Sequence, residues 1–334
     1  MLFAVAICHG INDTMQAVLL SVYPLLRDNY ALTFAQVGMI TLVFQVTASI
    51  LQPFVGTFTD KYPLPYALPV APVCTLAGLL LLAHAHSYPV ILLAAGMIGV
   101  GSSIFHPDAS RVARLSAGGR FGFAQSTFQL GGNVGTAIGP LLAAAIVLPR
   151  GQGAIAWFAV FAAAALVLLS HVGRWYARWL RDHARLAAKK TATHSLTPRQ
   201  ITLALVILLV LMFSKFVYTS SLHSFYSFYL IDHFKVTPRE AQLYLFVLFG
   251  SMAAGTFAGG PIGDRIGTKA VIWMSILGAL PFTLALPYTN LFWTVALTVP
   301  IGLIISSAFS AMVVYAQELL PGRIGMISGL FFGL

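Results

Sequence analysis

Residues 56–63 read GTFTDKYP and residues 260–267 read GPIGDRIG, and this pair of segments decides the fold. Both follow the pattern G-x-x-x-D-[K/R] and end near a small or turn-forming residue, and their aspartates, Asp60 and Asp264, lie 204 residues apart. Each segment follows the second long apolar stretch of its half of the chain. One such match would be weak, because Gly and Asp are common in loops. Two matches at equivalent positions indicate a duplicated architecture.

The composition is that of a protein embedded in a membrane. Hydrophobic residues make up 58% of the 334 residues and charged residues only 8%, whereas soluble domains carry about 25% charged residues. The net charge of +10 does not indicate nucleic-acid binding, because the basic residues are split among short loops and form no single basic face. Cys8 and Cys74 lie in apolar stretches without metal-ligand spacing, so we predict neither a disulfide framework nor a metal site.

Ten stretches are long and apolar enough to cross a bilayer, for which about 20 residues are needed. An eleventh begins near Gly322 and reaches Leu334. We predict an all-α polytopic membrane protein made of two pseudo-repeated six-helix bundles, the second one incomplete. The bundles are residues 1–172 and 201–334, joined by a basic linker at 173–200. The predicted spans are 1–26, 34–58, 66–86, 88–107, 121–148, 154–172, 201–231, 240–262, 269–287 and 291–316.

The basic residues orient the predicted spans. Of the 19 Lys and Arg residues, 14 fall in the loops that follow even-numbered spans and four in the opposite loops. This bias predicts that the N-terminus and the linker at 173–200 are cytoplasmic. The linker segment RWYARWLRDHARLAAKK is also compatible with an amphipathic helix on the membrane surface, and the sequence leaves both possibilities open.

The two loop segments resemble the cytoplasmic-loop signature of major-facilitator transporters, whose two halves are parallel repeats of six helices. The first copy departs from that signature at Pro63, where the general pattern has glycine and further basic residues. Within the superfamily the chain is similar to the fosmidomycin-resistance exporters over essentially its whole length. That similarity is carried by TDKYP, by HGINDTMQ in span one, by SKFVY in span seven, by FHPDASRVARLSAGGRFGFAQSTFQLGGNVGTAIGPLLAA at 105–144 and by QELLPGRIGMISGLFFG at 317–333.

The resemblance implies a transporter of the bacterial inner membrane that exports a small drug-like molecule in exchange for protons. Exporters of that family have twelve spans. An unfinished eleventh span would leave backbone carbonyls in lipid, at several kcal/mol each. We therefore expect the 334-residue chain to be a fragment, or to be poorly stable and unable to transport.

Polar residues inside the spans are the candidates for the substrate and proton pathway, because charges in the bilayer core usually face a cavity. In span one, four polar residues recur at helical spacing and share one face. Lys215 lies near the middle of span seven, the equivalent helix of the second half. We predict that Asp13 takes part in proton exchange and that the two glutamines of span two, seven residues apart, share a face. The pathway candidates are His9, Asn12, Asp13, Gln16, Gln45, Gln52, His106, Lys215 and Tyr218.

A second group of residues predicts a gate at the cytoplasmic ends of the helices. The motif glycine lets two helices approach closely, and the motif aspartate can cap a helix N-terminus or pair with an arginine. By the family pattern, we expect Asp60 near Arg111 and near the start of the eleventh helix at 323–326. Because span four is predicted to stop at 107, a loop salt bridge of little energetic value is the alternative for its acid and arginine. The gate candidates are Gly56, Asp60, Lys61, Asp108, Arg111, Gly260, Asp264 and Arg265.

Span five contains small residues four apart, which allow close helix packing, and a proline that can bend the helix. These residues resemble the glycine-proline motif of exchangers, and the resemblance implies antiport. They are Gly131, Gly135, Gly139 and Pro140.

Other function classes fit the sequence less well. It contains no GxSxG, HExxH or phosphate-loop motif, and Ser102 and His106, at i and i+4, lack an oxyanion device, so we do not predict an enzyme. A channel or membrane scaffold would have no need for the duplicated loop. Uptake of a small anionic metabolite by symport is the alternative to efflux. We expect no cofactor, a proton gradient as the energy source, and a monomer whose partners are a small-molecule substrate, protons and the lipid bilayer.

Overall fold

The computed structural model describes residues 1–187 and 196–333, which are helical almost throughout. In this part of the chain nine helices are long and apolar enough to cross a membrane, and α3 and α11 are shorter. The predicted all-α polytopic architecture is therefore confirmed, with nine helices of spanning length in the described residues where ten were predicted. The helices are α1 (Leu2–Tyr30), α2 (Phe34–Lys61), α3 (Ala67–Ala83), α4 (Tyr88–Leu115), α5 (Phe121–Arg150), α6 (Gln152–His183), α7 (Pro198–Phe234), α8 (Pro238–Ile266), α9 (Thr268–Tyr288), α10 (Leu291–Leu319) and α11 (Ile324–Phe332).

Threonine residues determine where three of these helices begin. The hydroxyls of Thr33, Thr197 and Thr237 each accept a hydrogen bond from the backbone N–H three residues later, and the Gln or Glu at that position bonds back to the threonine N–H. In α7 and α8 a proline follows the cap, at a position where its missing N–H has no partner to lose. The segments TPRQ and TPRE are therefore helix-start signals.

Helix α2 is interrupted by a π-helical segment, Val46–Ile50, which lies between its two glutamines. The wider turn of a π-helix changes the register of the residues that follow it. Gln45 is exposed, whereas Gln52 is buried and its amide donates to the Ala48 carbonyl oxygen at 2.6 Å. The prediction that the two glutamines share a face is therefore wrong. In α5 a second π-helical segment begins shortly after Pro140.

Helix α4 continues through Pro107 to Leu115, beyond the predicted end of span four at 107. His106, Asp108 and Arg111 consequently lie inside the helix bundle, where they are 7%, 0% and 5% exposed. The alternative of a loop salt bridge at this point is wrong. A proline is tolerated within a membrane helix when neighbouring helices and side chains satisfy the freed backbone groups.

The chain forms two compact units, and the first is organised by the crossing of α1 and α5. Small residues make this crossing close, because a Cβ atom at Gly131 or Gly135 would collide with the carbonyl oxygens of Ala6 or Gly10. One turn further, a Cβ atom at Gly139 would meet Ala17. The glycine row of span five thus packs against α1. This first unit comprises Met1–Ser116, Phe128–Thr193 and Leu320–Leu334.

The second unit contains α7 to α10 and the first turns of α5. Helices α8 and α10 cross closely, because Cβ atoms at Gly255 and Gly259 would collide with the carbonyl oxygens of Leu303 and Ser307. Its ranges are Ala117–Thr127 and His194–Leu319.

The boundaries of the two units differ from a single division of the sequence at the linker. The last residues, from 320 onward, belong with the first unit, and residues 117–127 belong with the second. The last part of span six is one continuous α-helix from Ala159 to Ala187. Residues 173–187, with which the predicted linker begins, therefore belong to that helix. Linker residues 188–195 lie outside the described residues.

Candidate functional site

Helix α1 carries a polar cluster into the interior of the first unit. The Asp13 side chain is 19% exposed, and its Oδ1 atom accepts hydrogen bonds from the amides of Asn12 and Gln16, each at 3.1 Å. Its Oδ2 atom lies 3.3 Å from His9 Nε2. The structure therefore brings together all four polar residues that the sequence places on one face of span one. The two amides hold one carboxylate oxygen and leave the other facing His9.

His106 of α4 joins this cluster, although the sequence predicted it to lie one residue before the end of span four. Its Nε2 atom lies 3.2 Å from His9 Nε2 and 3.6 Å from Asp13 Oδ1. The ligand atoms of His9, Asp13 and His106 lie within 4.8 Å of one another, a spacing that a metal ion could also use. Two imidazoles and a carboxylate in one buried cluster can bind and exchange a proton.

Helix α5 closes over the cluster through residues that the pathway prediction did not include. The Phe128 ring stacks on the His9 ring with 4.1 Å between centroids. A Cβ atom at Gly132 would lie 2.5 Å from His9 Nε2 and 2.7 Å from Asp13 Oδ2, so only glycine allows this approach. The adjacent glycines at 131 and 132 were the sequence feature that could have predicted this close approach of α5. The helical period alone does not show which of the two glycines faces a histidine.

The second unit contains the other predicted charge, Lys215 of α7. Its Nζ atom donates to Ser275 Oγ at 2.6 Å, and the Tyr218 hydroxyl lies 3.0 Å from Thr283 Oγ1. Both partners belong to α9, and Lys215 has no ion pair among the described residues. Gln52 joins neither cluster, because its backbone lies against Gly329 of α11.

Asp60 caps the N-terminus of α11, which is where the sequence predicted it. Its carboxylate accepts the backbone N–H groups of Gly325 and Met326, each at 2.8 Å. It also pairs with Arg111 at 2.7 Å, and Arg111 in turn pairs with Asp108 at 2.5 Å. We call this arrangement, with Gly56, the Asp60 cap. A Cβ atom at Gly56 would collide with the backbone of α11, so the motif glycine and aspartate contact the same helix start.

Asp264 caps the N-terminus of α5 in the same way, within the second unit. Its carboxylate accepts the N–H groups of Gly122 and Phe123 at 2.7 and 2.8 Å. A Cβ atom at Gly260 would collide with the Gly122 carbonyl oxygen. We call this arrangement the Asp264 cap. The sequence did contain a signal for it, because GRFG at 119–122 and GRIG at 322–325 repeat the segment that each aspartate caps.

The basic residues of the loop motifs take no part in either cap among the described contacts. Lys61 is exposed, with its ammonium 5.1 Å from the Tyr62 ring, and Arg265 is exposed. Arg111, supplied by α4, provides the positive charge beside Asp60 instead.

Comparisons with known proteins agree with this geometry. The sequence matches the Major Facilitator Superfamily over residues 2–334. It is 54% identical to the Fosmidomycin resistance protein of Escherichia coli (strain K12), covering 99% of this chain and 81% of that protein. It is 43% identical to the uncharacterized MFS-type transporter YfnC of Bacillus subtilis (strain 168), covering 100% of this chain and 82% of that protein.

A solved structure supports the fold independently of sequence. The outward conformation of FucP, a Major Facilitator Superfamily transporter, superimposes with a TM-score of 0.71, covering 99% of this chain and 88% of that one. Its identity is 14%, so this likeness supports the fold alone. The relatives and the fold point to transport rather than catalysis. The duplicated loop, the spanning helices and the match over residues 2–334 together establish that this chain is a multi-pass membrane protein belonging to the Major Facilitator Superfamily.

Proposed function

We propose that this protein exports a small drug-like molecule such as fosmidomycin in exchange for protons, by alternating access. The 54% identity to a fosmidomycin resistance protein over 99% of the chain supports the substrate. We place the protein in a bacterial inner membrane as a monomer with a cytoplasmic N-terminus, using the proton gradient and no cofactor.

The observation that carries the coupling proposal is the environment of Asp13. A carboxylate inside a membrane helix bundle is costly and usually functional. Here it is 19% exposed, and its only charged or titratable neighbours among the described residues are two histidines. A group in this position can take a proton when the site opens to one side of the membrane and release it to the other.

The two aspartate caps support the alternating-access part of the proposal. Each joins a loop-motif aspartate to a helix that belongs to the other sequence repeat, so these hydrogen bonds have to break if the repeats move apart at that end. For the exposed Asp264, a carboxylate on helix N–H groups is favourable by about 0.3–1 kcal/mol. Contacts of that size can form in one state of a transport cycle and be lost in the other.

Lys215 supports an anionic substrate. Its ammonium group is half-buried and has a neutral partner, Ser275, rather than an acid. A buried cation without a counter-ion favours a negatively charged ligand. Fosmidomycin is a phosphonate and fits this requirement. The same observation also favours the second candidate function, uptake of a small anionic metabolite together with protons.

Transport by everted membrane vesicles tests the proposal. With a proton gradient acidic inside, vesicles containing the protein should accumulate fosmidomycin, and collapsing the gradient should release it. Asp13→Asn should abolish this accumulation while the protein still inserts into the membrane. Asp28→Asn, an exposed acid near the other end of α1, is the matched control and should behave like the parent. Accumulation that needs the opposite gradient would favour symport, and equal accumulation by Asp13→Asn would remove Asp13 from the coupling.

A further inference from the structure

The backbone fixes the tautomers of both histidines in the α1–α4 cluster. His9 Nδ1 lies 2.7 Å from the Phe128 carbonyl oxygen. His106 Nδ1 lies 2.9 Å from the Ser102 carbonyl oxygen and 3.2 Å from the Ser102 hydroxyl oxygen, which can accept from the same N–H. A carbonyl oxygen only accepts hydrogen bonds, so each Nδ1 must carry a hydrogen. A neutral histidine carries one ring hydrogen, so in the neutral state both Nε2 atoms are bare acceptors.

These two bare Nε2 atoms face each other and the carboxylate of Asp13. They are 3.2 Å apart, and Asp13 oxygens lie 3.3 Å from His9 and 3.6 Å from His106. Two facing lone pairs beside a negative charge repel one another, whereas one proton between the nitrogens makes an N–H···N hydrogen bond of ordinary length. We propose that His9 and His106 share one proton through their Nε2 atoms, with Asp13 as its fixed counter-ion, and that this is the proton exchanged for substrate.

This inference rests on the proposed proton-coupled function and names the groups that carry the proton. Asp13 is then a positioning residue as well as a counter-ion. Its Oδ1 atom is engaged by the amides of Asn12 and Gln16, which hold the carboxylate in place. A carboxylate held in this way favours the positive charge of a protonated histidine pair.

Among the described residues, Asp13 is the charged group within ion-pair distance of the histidine pair. Helix α1 faces it with Asp13, and α5 faces it with the Phe128 ring and the Gly132 backbone. Helix α11 contributes the Phe332 ring, whose centroid lies 5.9 Å from His9 and 5.4 Å from His106. Among the described residues, the titratable groups that interact with Asp13 are the two histidines. The aromatic rings and Gly132 limit water around the shared proton.

Nuclear magnetic resonance of the full protein with ¹⁵N-labelled histidine tests the inference without any ligand. His9 and His106 should each carry an Nδ1 hydrogen, and one further proton should be shared between their Nε2 atoms. His106→Gln should remove the shared-proton signals of His9. His171→Gln is the matched control, because His171 makes the same bond to a carbonyl four residues earlier but is exposed. Nε2-protonated neutral histidines at positions 9 and 106 would overturn the inference.

Proton release on fosmidomycin binding tests the link to transport. In weakly buffered detergent solution, the parent and His171→Gln should release about one proton for each fosmidomycin bound, and His106→Gln should bind it with little release. Undiminished release by His106→Gln would make Asp13 alone the carrier and overturn the inference. If the parent binds fosmidomycin without releasing a proton, the exchange of this proton is overturned. If the parent does not bind fosmidomycin, the proposed substrate is wrong, and the resonance experiment still tests whether the two histidines share a proton. Stoichiometric Zn²⁺ binding that is lost in His106→Gln would show a metal in place of the proton.

Discussion

The Asp60 cap and the Asp264 cap are built from the same repeated motif, yet their surroundings differ. In both, a glycine permits a close helix crossing and an aspartate four residues later accepts two backbone N–H groups at 2.7–2.8 Å. Asp60, however, also pairs with Arg111, and its side chain is only 10% exposed. Asp264 is exposed and has no ion pair among the described residues.

The difference shows that the motif encodes the cap but not the strength of the cap. The arginine comes from α4, 51 residues away from Asp60 and outside the motif. A buried charge network is costly to break because the remaining charges lose both water and partner, whereas an exposed carboxylate is stabilised only modestly by a helix end. We therefore expect the two caps to respond unequally to loss of their charged groups and alike to crowding of their helix crossings, and four experiments test this comparison.

Arg111→Met should have the largest effect. It leaves Asp60 and Asp108 buried without their shared positive partner, a change that typically costs about 3–5 kcal/mol. Thermal unfolding of the purified protein in detergent should show a large loss of stability, and membrane abundance should fall. Arg265→Met, the exposed basic residue beside Asp264, is the control and should leave both quantities unchanged. Equal losses in the two variants would break the distinction between the caps.

The two aspartates allow a direct comparison. Asp60→Asn removes a charge-assisted hydrogen bond to Arg111, worth about 1.5–3 kcal/mol. Asp264→Asn replaces one accepting oxygen with an amide NH2, so it loses one of its two backbone hydrogen bonds and the interaction of its charge with the helix end, which is worth about 0.3–1 kcal/mol. Unfolding temperatures of the two variants measure the difference. A larger loss in Asp264→Asn would mean that burial around Asp60 does not govern the strength of the cap.

The predictions from sequence agree with the structure where segment length and residue spacing along the chain carry the information. Apolar stretches locate the spans, because a bilayer requires a minimum length, and the α-helical period places His9 and Asp13 on one face. The predictions failed where a local irregularity changes the geometry. The π-helical turn of α2 separated the two glutamines. Pro107 does not end α4, so His106 lies beside Asp13 within the helix bundle.

The partner of Asp264 illustrates a different gap. Its N–H donors, Gly122 and Phe123, precede it by more than 140 residues, and no helical period connects positions that far apart. The repeated segments GRFG and GRIG can predict such a contact, but only when the structure has shown that one of them contacts its aspartate. The contact of His9 with the Phe128 carbonyl oxygen is likewise fixed by packing, whereas the contact of His106 with Ser102 follows from helical spacing.

The glycines at the two capped helix starts, Gly325 and Gly122, provide a substitution to which the two caps should respond alike. A methyl group at Gly325 would approach the movable end of the Arg111 side chain at 2.2 Å, the Gly56 carbonyl oxygen at 2.9 Å and Asp60 at 3.1 Å. One at Gly122 would approach the Gly260 carbonyl oxygen at 2.4 Å and Asp264 at 2.9 Å. Gly325→Ala and Gly122→Ala should each destabilise the protein by about 1–3 kcal/mol through overpacking. Gly250→Ala, a helical position with open space around it, is the control for unfolding measurements. Effects confined to one of the two variants would show that the crossings are not equivalent.

The smallest effect concerns Thr59, which the second copy of the motif replaces with Gly263. The buried Thr59 hydroxyl accepts a hydrogen bond from Arg111 at 3.0 Å, whereas Asp264 has no ion pair with an arginine among the described residues. Thr59→Val should therefore cost about 0.5–1.5 kcal/mol in the parent protein. It should cost much less in the Arg111→Met background, since the donor is already gone. Combining the two substitutions in a double-mutant cycle of unfolding free energies isolates their coupling. Thr57→Val, an exposed threonine on the same helix, should show no coupling to Arg111. If Thr59→Val costs the same in both backgrounds, the hydroxyl stabilises α2 by itself, and the difference between the caps rests on the ion pairs alone.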